Sequence, residues 1–294
     1  MRGLQKRNPR GQARAASWMI LPYALHFLVF LAYPLAFTFV LVFHRWDVFT
    51  PMEWVGLANI ARLVRDEWFL RAIWNTLVFV VIHIPLQLIL ALFFALLLNE
   101  KIRGRTFFRA TYFLPVVVSG VVVSFVWLQI YSYESGLLNQ LLALLGLPKL
   151  PWLTSRALAM PSIAIMATWK NVGLYIVLFL AGLQSIPSYL YEVADLDGAS
   201  GWQKFRWITF PMLNPTVVLV IVLSTIGGFS LFIEPYMMTD GGPENSTLSA
   251  VLYIYRQAFD FYRMGYAATL GFAFALMVFA VVLIQRRVSE GEAA

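Results

Sequence analysis

The chain holds no cysteine, which removes disulfides, cysteine-ligated zinc and thiol nucleophiles together. Histidine is almost as scarce: His26, His44 and His83 lie far apart, with no metal-ligand spacing. No Gly-x-x-x-x-Gly-Lys-Ser/Thr segment occurs, so nothing here cradles nucleotide phosphates in the usual way. Charge is thin as well. Charged residues make up 13% of the 294, against roughly 25% in soluble domains, and hydrophobic ones 60%, against roughly 45–50%. That is a membrane composition, with length for several spans of about 20 residues each and too little left for a separate soluble domain. The net charge of +7 then reads as a topology signal and not as a nucleic-acid surface.

What is present is a series of apolar runs, at 17–43, 72–99, 111–131, 158–183, 212–232 and 264–284. The expected fold is an all-α integral membrane protein with six transmembrane helices in a lipid bilayer. The first run follows a basic tail at 1–16; it is too long for a cleaved signal and lacks a small-residue cleavage site. Pro22 and Pro34 inside it are breaks that spanning helices tolerate. Residues 44–71 mix acids, bases and aromatics and read as an extramembrane loop with an amphipathic piece near 57–70. His83, Pro85 and Gln87 interrupt the second run, as polar residues that tie helices together or line a path do. Residues 136–152 read as a short amphipathic helix carrying Leu137, Leu138, Leu141, Leu142 and Leu145, closed by Gly146 and Pro148.

Six spans place both termini on one side. The basic N-terminal tail, the loop with Lys101, Arg103, Arg105 and Arg109, the stretch with Lys204 and Arg206, and the 286–294 tail with Arg286 and Arg287 share that side, which the positive-inside rule makes cytoplasmic.

The stretch at 186–211 is the polar insert between the fourth and fifth spans. Ser188 after Pro187 has the form of a helix N-cap, and helical spacing then sets Tyr189, Val193 and Leu196 on one face and Glu192 near Asp195. Gly198 fits the position just past a helix end. Ser200 and Gln203 form a capping box that starts a second short helix with Trp202, Phe205 and Trp207. Ala194 and Ala199 flank the turn and let another surface come close. Taken as residues only, such a connector also suits a resting place on lipid headgroups.

Glu192, Val193 and Ala194, then Gly198, then Ile208 and Pro211, resemble the signature loop of the inner-membrane permease subunits of ATP-binding-cassette importers. Val193 and Phe210 depart mildly from the family's alanine and leucine. Phe108, Arg109 and 112–115, the 181–187 segment, Asp197 to Ala199, 238–243 with Thr247, 253–255, Ala258, Phe259 and 265–267 are similar to the carbohydrate-uptake members of the maltose and glycerol-3-phosphate type. The resemblance implies the type I permease fold over a core at 72–285, in a bacterial or archaeal cell (inner) membrane. It implies a non-catalytic subunit with no cofactor in this chain, since ATP and Mg would be bound by a partner ATPase. Its implied partners are a second, homologous permease (a heterodimer), two ATPase subunits, an extracytoplasmic solute-binding protein and a sugar; no nucleic acid is among them. Contact with the ATPase would fall to the 188–211 loop, on Glu192, Ala194, Asp197, Gly198, Ala199, Phe205, Ile208 and Pro211.

The densest polar patch at membrane depth holds Trp169, Lys170, Asn171 and Tyr175. A lysine well inside a span costs about 2.5–3.5 kcal/mol on insertion scales, so Lys170 either faces a watery cavity or snorkels and pairs with an acid such as Glu234. Gly227 and Gly228, followed by Phe229, Ser230, Phe232 and Glu234, supply aromatic faces and polar groups of the kind that hold a sugar. Residues 240–247 read as a compact turn-rich external cap. The alternatives are an importer of the same type for glycerol-3-phosphate or a polyol, and, more distantly, a stand-alone channel or membrane enzyme.

Overall fold

A computed structural model of the chain describes residues 9–100 and 104–291. The start of the basic tail, Lys101 and Arg103, and the last three residues lie outside the described residues. The chain forms two compact units. One takes the residues up to 65 with 257–272; the other takes 66–256 and the chain from 273 onward.

In the first unit, α1 (Pro9–Phe27) passes through a π-helical turn (Leu28–Ala32) into α2 (Tyr33–Leu41). Pro34 lies just after the π turn, within a stretch that stays helical through Ala32 and Tyr33. The loop that follows contains a two-residue antiparallel ladder, β1 (His44–Arg45) with β2 (Glu53–Trp54), so the chain is not wholly helical. A short helix, α3 (Ala58–Leu63), completes this part.

The second unit opens with α4 (Glu67–Asn99). It starts five residues before the run read from hydropathy, because Asp66 caps it: its Oδ1 accepts from Phe69 N at 3.0 Å. The 44–71 loop is therefore shorter than expected. The third run is not one helix. It is α5 (Arg105–Val117) and α6 (Gly120–Ile130), bent by 107° where Val118 turns extended before Ser119 and Gly120. After α6 come α7 (Leu137–Leu144), shorter than its amphipathic pattern and closed at Gly146 with φ +71°, and α8 (Ala159–Gln184). Asn139 of α7, fully buried, holds the next loop: it accepts from Leu150 N and Trp152 Nε1, each at 3.0 Å.

The fifth run is also bent. α9 (Ser188–Leu196) and α10 (Gly201–Lys204) lead through a π turn (Phe205–Thr209) and α11 (Phe210–Met212) into α12 (Asn214–Phe229) at 63°. Pro215 explains the bend, since it has no N–H to offer the carbonyl a turn earlier. α12 ends at Phe229 and not at 232, after Gly227 and Gly228. α13 (Ile233–Met238) and α14 (Ala250–Tyr255) precede a π turn (Arg256–Asp260) and α15 (Met264–Gly291), which runs past the expected end at 284. Four helices are by themselves long and apolar enough to cross a membrane, and each bent pair adds one more if it counts as a span, giving up to six.

α8 is the axis of the second unit. Its C-terminal half packs Ile176, Phe179 and Leu183 against Ala91, Ala95 and Leu98 of α4 and Leu213 and Val220 near α12. Its N-terminal half packs Ile163, Ala164 and Met166 against Phe79, Val123, Leu231 and Met238. Gly173 is the closest approach: a methyl group there would overlap the Tyr112 carbonyl of α5.

Candidate functional site

The stretch at 188–211 forms two short helices around a tight turn. Pro187, not Ser188, is the residue before α9, and no side chain caps that end, so the expected serine cap is absent. The other end is closed fully. Gly198 has φ +73°, its N–H donates to Asp195 O at 3.1 Å, and Ala199 N donates to Ala194 O at 2.9 Å, the paired bonds of a Schellman turn. α10 then begins with the reciprocal capping box, Gln203 N to Ser200 Oγ at 3.4 Å and Ser200 N to Gln203 Oε1 at 2.7 Å.

Two side-chain links join the pieces: an ion pair between Lys204 and Asp195, and a hydrogen bond of 2.9 Å between Tyr191 Oη and Thr209 Oγ1. Glu192, Asp197, Gly198 and Pro211 are exposed, Ala199, Phe205 and Ile208 half-buried, and Ala194 buried under the turn. Around them stand Val193, Leu196, Trp202 and Trp207 in the open, Leu196 at 89% exposure. The stretch thus presents charged and apolar side chains together on an exposed surface.

A cavity of about 230 Å³ lies between α4, α8, α12 and α13. Lys170, Asn171 and Tyr175 of α8 line it, with Ser230 and Glu234 from the segment after α12. No ion pair joins Lys170 to Glu234, so the two charges face one space without neutralising each other at contact. Three other expected path residues point elsewhere. Trp169 packs on Trp127 at 5.5 Å, Phe229 is buried on Phe274 at 6.0 Å, and Phe232 lies among Tyr236 and Tyr255 at 5.4 and 5.0 Å.

The cavity also contains His83, which the sequence marks as a helix tie or a path residue, and Ser224, which spacing did not single out. Ser224 is buried and its hydroxyl has no protein partner. His83 lines the same wall, its ring stacked on Phe79 at 4.9 Å. Thr168 Oγ1 donates to Ala164 O at 2.7 Å, so His83 Nδ1, 2.8 Å from that oxygen, is the donor to it and Nε2 is left as an acceptor. His83 thus both ties α4 to α8 and offers a polar atom. Gly228 lets Val80 approach, its absent Cβ lying 3.2 Å from that side chain. Above the cavity's segment, the 240–247 turn is anchored by Asn75 Nδ2, which donates to Asn245 O at 2.8 Å and Leu248 O at 3.0 Å, and by Thr239 Oγ1 to Thr247 Oγ1 at 2.7 Å.

A family model described as "Binding-protein-dependent transport system inner membrane component" matches residues 54–291, which takes in both the capped turn and every wall of this cavity. The chain belongs to this family. It is a multi-pass membrane permease. Members similar to it include the arabinooligosaccharides transport system permease protein AraP of Bacillus subtilis, 36% identical over 91% of this chain and 86% of that protein. The trehalose/maltose transport system permease protein MalF of Thermococcus litoralis is also 36% identical, over 92% and 91%. Among solved structures, a bacterial alginate ABC transporter, in complex with an alginate pentasaccharide-bound periplasmic protein, has a chain that superposes with a TM-score of 0.83 at 25% identity, covering 96% of this chain and 97% of that one.

Proposed function

We propose that this chain is the membrane-spanning permease subunit of an ATP-driven, binding-protein-dependent carbohydrate importer, and that it forms half of the translocation pathway. The observation that carries the reading is the cavity beside α8. Its lining of Lys170, Glu234, Asn171, His83 and the unpartnered Ser224 hydroxyl offers donors and acceptors of both kinds, as the hydroxyls of a sugar require. A buried hydroxyl left unmatched costs about 1–3 kcal/mol, so a ligand hydroxyl that pairs with it is favoured, by about 0.5–1.5 kcal/mol net of its own lost bonds to water. Relatives named for arabinooligosaccharides, trehalose/maltose and lactose support the same class.

Coupling to a separate ATPase, which would bind ATP and Mg, falls in this reading to Glu192, Ala194, Asp197, Gly198, Ala199, Phe205, Ile208 and Pro211. The exposed apolar side chains beside them would seat in a groove of that subunit, and a movement there would tilt the joined α8 and α12, giving alternating access. A second permease, two ATPase subunits and an extracytoplasmic solute-binding protein complete the assembly in the inner membrane, with both termini of this chain cytoplasmic. A glycerol-3-phosphate importer is disfavoured, because Glu234 would repel a phosphate in a cavity with one lysine.

The test is reconstitution of the complete complex in proteoliposomes with its binding protein and radiolabelled oligosaccharides. Uptake that needs ATP and falls with Ser224→Val is expected. Uptake of phosphorylated polyols in preference to any sugar would overturn the substrate class, and uptake without the ATPase would overturn the mechanism.

A further inference from the structure

A second cavity, of about 490 Å³, lies within the first unit, walled by the β1–β2 hairpin, α3 and the residues that lead into α15. Backbone contacts hold its walls in place. Asn59 Nδ2 donates to Val42 O and His44 O at 2.9 Å each, and Met264 N donates to Trp46 O at 2.9 Å. At Gly265 any side chain would overlap the His44 carbonyl, so that approach is closed to every residue but glycine. The shape is preformed.

Charges of both signs face this space. Arg62 lies with its guanidinium 4.1 Å from the Tyr266 ring, and Arg263 lies 5.5 Å from the Phe261 ring. Among the described residues neither forms an ion pair, whereas Arg45 meets Glu53 at 3.7 Å. Asp47, on the hairpin, accepts at Oδ1 from Thr50 N at 2.7 Å, Thr50 Oγ1 at 2.8 Å and Phe49 N at 3.1 Å. The Thr50 and Phe49 donors hold its carboxyl below the usual carboxylate range, so it stays anionic. Two guanidiniums without carboxylate partners suit a phosphate, and the carboxylates of Asp47 and Glu53 suit a primary ammonium.

The position of the cavity says where such a ligand comes from. It opens where the apolar window Trp18–Leu41 ends and the window Met264–Arg287 begins. A helix of 24 residues at 1.5 Å per residue covers about 36 Å, which brings its end to headgroup depth. Tyr33 and Phe37 continue that apolar surface toward the cavity wall, Phe37 meeting Trp46 edge-on at 5.8 Å. The helix itself is exposed along its length, with Phe30 at 69%.

We propose that this cavity binds the phosphoethanolamine headgroup of a membrane phospholipid, its phosphate between Arg62 and Arg263, its ammonium toward Asp47 and Glu53, and its acyl chains along the exposed first span. The inference does not rest on the transported solute. The experiment is native mass spectrometry of the complete complex with phosphatidylethanolamine or phosphatidylglycerol added in equal amounts. One phosphatidylethanolamine should survive on wild type, and the bound fraction should fall about tenfold in R62Q/R263Q. Unchanged thermal stability and basal ATP hydrolysis would show that the variant is folded. Equal retention by wild type and variant, or equal retention of phosphatidylglycerol, would overturn the proposal. Binding of water-soluble O-phosphoethanolamine as tightly as the lipid would overturn the lipid source.

Discussion

The helix Ala159–Gln184 and the first span Trp18–Leu41 have nearly the same length, 26 and 24 residues, and both are apolar enough to cross a membrane. One has 61% of its apolar window buried inside the protein, the other 6%. The difference lies in side-chain size. α8 spaces Ser162, Ala164, Ala167, Thr168, Gly173 and Gly182 among its large residues, so that α4, α5 and α12 can come close. The first span carries Tyr23, Phe27, Phe30, Leu31 and Leu35 turned outward. Hydropathy finds both helices. Small residues, denser in α8 than in the first span, mark the helix that others pack on, as expected where lipid competes for every apolar surface.

The comparison breaks most visibly at Gly173. G173L should push α5 off α8 and cost about 3 kcal/mol or more, read as a loss of the folded, assembled complex in size-exclusion chromatography and thermal unfolding. A normal melting curve would mean that the close approach has no energetic weight. The next effect belongs to the turn that α8 leads into. G198V forces a β-branched residue to φ +73°, a strain of about 1–2 kcal/mol with nothing nearby to clash. Solute-stimulated ATP hydrolysis and uptake should drop severalfold while insertion stays normal, and E192K should act in the same direction. Unimpaired stimulated hydrolysis in both would remove the mechanical role proposed for this stretch.

Within the cavity wall, K170A and E234A should each lower uptake about tenfold, the loss of one charged hydrogen bond, with little change in melting temperature. Reduced stability with unchanged uptake would instead make the two a structural pair. The smallest effect is expected on the first span, where Val29→Ala, at an exposed position, should alter stability by no more than about 0.5 kcal/mol.

Much of the fold was legible because period and hydropathy act locally. The capping box at Ser200 and Gln203 and the left-handed Gly198 are short-range chemistry, and they occur where their residues indicate. The bends went unread from hydropathy, although each has a local signal, Ser119 with Gly120 at the first and Pro215 at the second. Residues 111–131 are apolar on average, and mean hydropathy does not distinguish a continuous span from two helices at 107°. The start of α4 was displaced for the opposite reason. Asp66 and Glu67 look like loop residues by charge, yet Asp66 is an ordinary N-cap and Glu67 an ordinary first-turn residue.

The cavity was half legible. Lys170, Asn171, Glu234 and His83 stand out as polar residues in apolar runs, whereas Ser224 is small enough to pass as a packing residue. Phe229 and Phe232 do not line this cavity: the glycines before them end a helix, and the rings lie against Phe274, Tyr236 and Tyr255.

The turn at Gly198 has one more consequence. Its helix ends satisfy their own backbone groups, and the Lys204–Asp195 and Tyr191–Thr209 links lock the two arms together. Such an element spends its conformational entropy during folding, at roughly 1–2 kcal/mol for each backbone residue ordered, and has little left to lose when a partner arrives. Association can then be modest in strength and still well defined in geometry. In the coupling role proposed for it, such a contact would release and re-form in every turnover without refolding.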